Sequence, residues 1–155
     1  LPYAGGQLSM LLLVPDAGQF AEFESALSVE VIAGAVEALQ STNVALGLPK
    51  FEFESAFSLS AALSELGMPT AFTDAADFSG MTGRADLFIS DVVHQAYVGV
   101  DETGTEAAAA TAVVMTLSGL PPDPVELIVD RPFIFLIRDE PTGAILFLGR
   151  VTDPS

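Results

Sequence analysis

Glu102-Thr103-Gly104-Thr105-Glu106-Ala107-Ala108-Ala109-Ala110-Thr111-Ala112-Val113-Val114-Met115-Thr116-Leu117-Ser118-Gly119-Leu120-Pro121-Pro122 is the stretch on which the reading of this chain turns. Its four consecutive alanines favour helix by propensity. Gly104 ahead of them and β-branched Thr111, Val113 and Val114 behind them remove that preference at both ends. Read with a period of two, the segment is a latent strand. One face carries Thr105, Ala107, Ala109, Thr111, Val113, Met115 and Leu117; the other carries Glu106, Ala108, Ala110, Ala112, Val114, Thr116 and Ser118. The first face is small where it begins and apolar further on. That suits a strand that threads small side chains between existing strands and then buries larger ones. Burying Val113, Met115 and Leu117 would contribute about 1.5–3 kcal/mol each, and each new ladder hydrogen bond about 0.5–1.5 kcal/mol net. These gains outweigh the ordering of the loop only where a sheet already stands open. By pattern alone, an alanine-rich linker or an ordinary buried helix fits equally well.

The flanks supply strands for it to join. Downstream, residues 125–129 read as a short strand, and residues 133–138 and 144–151 as a closing hairpin around Asp139-Glu140-Pro141-Thr142-Gly143. Upstream, residues 87–100 read as a long strand and residues 74–83 as a polar loop. Residues 58–66 suit a short helix with Leu59, Leu63 and Leu66 on one face and Gly67 just past its end. Residues 44–54 read as strand; in Lys50-Phe51-Glu52-Phe53-Glu54 both phenylalanines point one way and the charges the other. Residues 20–39 carry helical periodicity. Phe20, Phe23 and Leu27 share one face, then Val31, Ala35 and Leu39 another, with Ser28 placed to cap the second helix. Residues 8–14 form an apolar run suited to a strand buried on both faces and closed by Pro15, and Gly5-Gly6 reads as a hairpin turn. The class expected is α+β, β-rich with a few short helices.

Composition narrows the chemistry. The chain has 155 residues, half of them apolar, with 21 acidic and 5 basic side chains and a formal charge of −16. Such a surface repels phosphate backbones and anionic membranes, so neither nucleic acid nor membrane is expected as a partner. The longest uncharged run covers residues 107–122, short of the roughly 20 apolar residues of a membrane span. With no cysteine and one histidine, a metal site lacks ligands, and no cofactor motif is visible. Ser90, Asp91 and His94 are close in sequence, but on a strand Ser90 and Asp91 point to opposite faces, which argues against a catalytic triad. Glu52 and Glu54 suit a solvated strand edge. An enzyme is therefore not expected.

The segment from Glu102 to Thr111 resembles the hinge of the serpin reactive-centre loop. Leu127-Ile128-Val129-Asp130-Arg131-Pro132-Phe133-Ile134-Phe135-Leu136-Ile137 resembles the serpin C-terminal signature, and Thr142-Gly143-Ala144-Ile145-Leu146-Phe147-Leu148-Gly149-Arg150-Val151 resembles that family's last strand. Leu66-Gly67-Met68, Phe72 and Ala76-Asp77-Phe78-Ser79-Gly80-Met81 follow the family in order. The cysteine-free, acidic composition is similar to that of a bacterial member of the thermopin type.

The resemblance implies the serpin fold, with residues 1–155 as the C-terminal portion of one serpin domain and residues 102–124 as its reactive-centre loop. It implies a serine protease inhibitor that acts as a suicide substrate: the protease attacks the loop, an acyl-enzyme forms, and the loop inserts into the central sheet. Gly104 and Thr105 would begin insertion, Glu102 and Glu106 flank them, and Ala107, Ala108, Ala109 and Ala110 keep the hinge narrow. The family's loop length puts the reactive bond at Ser118–Gly119, or one residue earlier at Leu117–Ser118. Serine there suits an elastase-like protease and leucine a chymotrypsin-like one. Lys50 matches the basic partner of Glu102 at the loop base, a surface pair worth about 0–1 kcal/mol. His94 matches a position near the sheet's opening region. A monomer is expected, completed by an N-terminal part of the same serpin, and family analogy suggests an extracellular location. The alternative is a non-inhibitory serpin serving as carrier, chaperone or storage protein; such relatives tend to carry bulky, charged or proline residues in the hinge.

Overall fold

The computed structural model describes residues 1–101, 104–105, 108–109 and 124–154. In chain order the elements are β1 (Leu8–Leu13), α1 (Phe20–Ala26), α2 (Val29–Glu37), β2 (Val44–Gly47), β3 (Phe51–Ser58), α3 (Ser60–Glu65), α4 (Ser79–Thr82), β4 (Val93–Asp101), β5 (Gly104–Thr105), β6 (Ala108–Ala109), β7 (Val125–Ile128), β8 (Phe133–Asp139) and β9 (Ile145–Val151). Three sheets result, in the orders β1-β8-β9, β2-β7 and β3-β4-β5-β6. The chain divides into two compact units, Leu1–Phe51 with Gly99–Ser155, and Glu52–Val98.

The first unit is built on β8. Its run Phe133-Ile134-Phe135-Leu136-Ile137 is apolar at every position, so both faces of the strand must be covered, and all five residues are buried. Antiparallel neighbours on either side, β1 through Leu11↔Leu136 and β9 through Leu136↔Leu148, make β8 the central strand. On one face Leu11, Ile134 and Leu136 form a cluster onto which Phe20, Phe23 and Leu27 pack, with Ile32 and Val36 of α2. On the other face Phe51 meets the rings of Phe133 and Phe135, at centroid distances of 5.7 and 5.2 Å. The Gly5-Gly6 turn is present, both glycines at positive φ, with Tyr3 N–H donating to the Leu8 carbonyl. Met10 and Leu11 are consecutive and both buried, so β1 is covered on both faces as its sequence requires.

Four sequence expectations are corrected, the first being the loop expected over residues 74–83, which holds the short helix α4 at Ser79–Thr82. The face of α2 that packs is Ile32 and Val36; Val31 and Leu39 are exposed. The two apolar stripes lie side by side on this helix, so periodicity alone does not choose between them. Residues 44–54 are two strands, not one. Leu48-Pro49-Lys50 separates them, since proline brings no ladder donor. β2 pairs in parallel with β7, Leu46 opposite Leu127, while β3 belongs to another sheet. The long strand expected over residues 87–100 begins only at Val93.

The second unit holds most of β3 and β4 and the short helices between them. Helix α3 ends in a Schellman arrangement: Met68 N–H reaches the Leu63 carbonyl, Gly67 N–H reaches that of Ser64, and Gly67 adopts φ +108°.

Candidate functional site

The base of the alanine-rich segment is built by β4. Its residues alternate, with Ala96, Val98 and Val100 turned inward and Gln95 and Tyr97 exposed. Past Asp101 the backbone doubles back. Asp101 pairs with Gly104 and Val100 with Thr105 in antiparallel register, and Ala108 and Ala109 then pair with Thr105 and Gly104. Directly opposed residues in an antiparallel pair point to the same face.

Lys50 is exposed between β2 and β3. With Leu48, Pro49, Val100 and Asp101 it lines a cavity of about 200 Å³ beside the end of β4. Its expected partner Glu102 lies outside the described residues, as do Glu106, Ala107, Ala110, Leu117, Ser118 and Gly119. Gly104, Thr105, Ala108 and Ala109 are described through their backbone pairing. His94 lies near the start of β4 on the same face as Ala96 and Val98 but is exposed there, and it stacks at a tilt against Phe57, with ring centroids 5.3 Å apart.

Sequence reading missed a polar knot at the start of β4. The Asp91 carboxylate accepts from the hydroxyls of Ser58 and Ser60, the latter at 2.7 Å, and from Val92 N–H at 2.8 Å. The Ser58 contact first, then Ser60, holds the Asp91 carboxyl below the ordinary aspartate range. Asp91 is thus committed to the β3–α3 corner. The argument against a triad by opposite strand faces does not apply, because Asp91 is not in a strand. The signal was Ser-x-Ser at a helix start, residues suited to capping, but their partner lies 31 residues away from Ser60. Among the described residues no helix is long and apolar enough to cross a membrane.

The family described as Serpin (serine protease inhibitor) matches residues 1–154. The chain belongs to the serpin family. A serpin-like protein of Thermococcus kodakarensis is 42% identical over 156 residues, 99% of this chain and 36% of the relative. The leukocyte elastase inhibitor of Bos taurus is 43% identical over 161 residues, 99% of this chain and 42% of the relative. Among solved structures, uncleaved ovalbumin aligns with a TM-score of 0.81 at 29% identity, covering 99% of this chain and 38% of that one. Thyroxine-binding globulin in complex with thyroxine aligns at 0.77 and 32% identity, covering 97% and 39%. This serpin chain spans about two fifths of the length of the curated relatives it matches. The strand-rich α+β class and the serpin fold expected from sequence are both found.

Extracellular location, expected by family analogy, is corrected. A relative from Tachypleus tridentatus, 38% identical over 154 residues and covered to 38% of its length, is named an intracellular coagulation inhibitor. Serpin membership therefore carries no extracellular address for this chain.

Proposed function

We propose that the protein to which these 155 residues belong is a serine protease inhibitor that acts as a suicide substrate, with residues 102–124 as its reactive-centre loop. The protease acylates itself on the loop at Ser118–Gly119 or Leu117–Ser118. The freed segment then inserts beside β4 before water completes hydrolysis. The serpin contributes a kinetic trap and no catalytic group. Lys50 and Glu102 gate the base of the loop, and His94 belongs to the region where the sheet parts.

The observation that carries this reading is the antiparallel register Val100↔Thr105. Continued down β4 after cleavage, that register would set Ala107 opposite Val98, Ala109 opposite Ala96 and Thr111 opposite His94. Val98 is buried and Ala96 half-buried, so the alanines would fall on the core-facing side, where only small side chains enter. The inhibitor names among its relatives support the same reading, and the elastase inhibitors favour an elastase-like target over the chymotrypsin-like alternative.

A carrier role is the second reading, favoured by the likeness to thyroxine-binding globulin. The hinge speaks against it, since after Glu106 it carries no charged or proline residue until beyond the reactive bond. Incubating the full-length protein with elastase and with chymotrypsin, then running denaturing gels, separates the two. The inhibitor gives a detergent-stable adduct of serpin plus protease; a carrier gives a clipped chain or none.

A further inference from the structure

The knot around Asp91 joins the β3–α3 corner to the segment just before β4, 31 residues on from Ser60. Ser58 ends β3, Ser60 opens α3, and Asp91 precedes β4 by two residues. Besides the three bonds to the carboxylate, Ser60 N–H reaches the Ser58 hydroxyl at 3.3 Å. Val92 turns both of its backbone groups toward the same corner: its N–H reaches the Ser60 hydroxyl at 3.2 Å, and its carbonyl accepts from Leu59 N–H at 2.8 Å. Helix α3 has no capping side chain at Leu59, and Asp91 reaches its first residue through the Ser60 hydroxyl. The strand that leaves this knot has β3 on one edge. On its other edge, among the described residues, β5 reaches only Val100 and Asp101.

We infer that Asp91 is a positioning residue for loop insertion: it staples residues 91–92, which lead into β4, to the β3–α3 corner, so that a strand added along the other edge of β4 meets a fixed template. The inference rests on the inhibitor reading above. Without the staple, the incoming strand would have to order β4 while pairing with it. Insertion would then be slower relative to deacylation, and more of the serpin would be released as cleaved product.

The test uses the full-length protein as wild type, Asp91→Ala, Asp91→Asn and Ser60→Ala. Two readouts are taken at a temperature where all variants are folded. Hydrogen exchange of the Leu59 and Val92 amides reports the staple itself; moles of serpin consumed per mole of protease inactivated report insertion. In Asp91→Ala both amides exchange about tenfold faster, the size expected for loss of a charge-assisted bond, and the stoichiometry rises. Asp91→Asn, which keeps an acceptor oxygen, recovers part of each change, and Ser60→Ala reproduces both should Asp91→Ala fail to fold. Unchanged exchange overturns the staple. Faster exchange with unchanged stoichiometry overturns its positioning role and leaves a purely structural knot. A wild type that forms no adduct removes the inhibitor reading and the positioning role with it, while the exchange rates still report whether the staple exists.

Discussion

Gly149 pairs with Phe135 across β8 and β9, and the ring lies over its backbone. A Cβ built there would stand 2.5 Å from Phe135 Cζ and 2.6 Å from Cε1. Phe135 is 1% exposed and also packs on Phe51, so the ring cannot swing out without opening the core. Gly149→Ala should therefore lower stability by about 1–3 kcal/mol, read as a fall in the urea midpoint of the full-length protein. An unchanged midpoint would mean the ring moves freely. A second single-residue prediction concerns pH. Hydrogen bonds from Ser58 and Ser60 hold the Asp91 carboxyl below its ordinary value. Its contribution is complete above the ordinary aspartate range and is lost as pH falls below that range, through the depressed value. Asp91→Asn should lower stability at neutral pH and flatten the acid limb of a melting-temperature profile. A mutant profile parallel to the wild type would remove the linkage. Neither residue stood out in sequence. Gly149 sits among apolar neighbours that give no sign of the ring above it, and Asp91 is defined by partners more than thirty residues away.

At the scale of elements, Ser28 as the cap of α2 was legible because its chemistry is local: its hydroxyl accepts from Val31 N–H at 3.3 Å. Ser28→Ala should cost about 0.5–2 kcal/mol, seen as a lower thermal midpoint. The hairpin of β8 and β9 was legible too, since alternation, continuous hydrophobicity and a Pro-Thr-Gly turn agree there. What was not legible depended on partners. Residues 44–54 look like one strand until β7 takes one half and another sheet the other. The run before Val93 looks like strand until Asp91 is captured by the serines. At the proposed hinge, Thr105 pairs with Val100 of β4, and Thr105→Arg would bring a long charged side chain to the point where strand entry is proposed to begin. In full-length protein that variant should be cut by elastase without forming an adduct. A mutant that still forms the detergent-stable complex would refute the assignment of the hinge.

At the scale of the molecule, β9 exposes Ile145, Leu146, Phe147 and Leu148, four consecutive apolar residues on both of its faces. The chain spans about two fifths of its relatives' length, and the proposal that residues 1–155 are the C-terminal portion of one serpin domain expects the remainder of that domain to cover these residues. The 155-residue chain alone should bind a hydrophobic dye strongly and self-associate. The full-length protein should do neither, and equal dye binding by the two would contradict the assignment. The family was legible from sequence because its words lie in order along nearly the whole chain. The place proposed for the loop beside β4 was not, because its pairing partner would be set by tertiary structure. That place is tested most directly by cleaving the full-length protein within residues 117–119 and solving its crystal structure. The account predicts residues 105–112 as a strand antiparallel to β4, Ala107 facing Val98 and Thr111 facing His94. A cut segment lying off the sheet, with that edge of β4 still open, would contradict it.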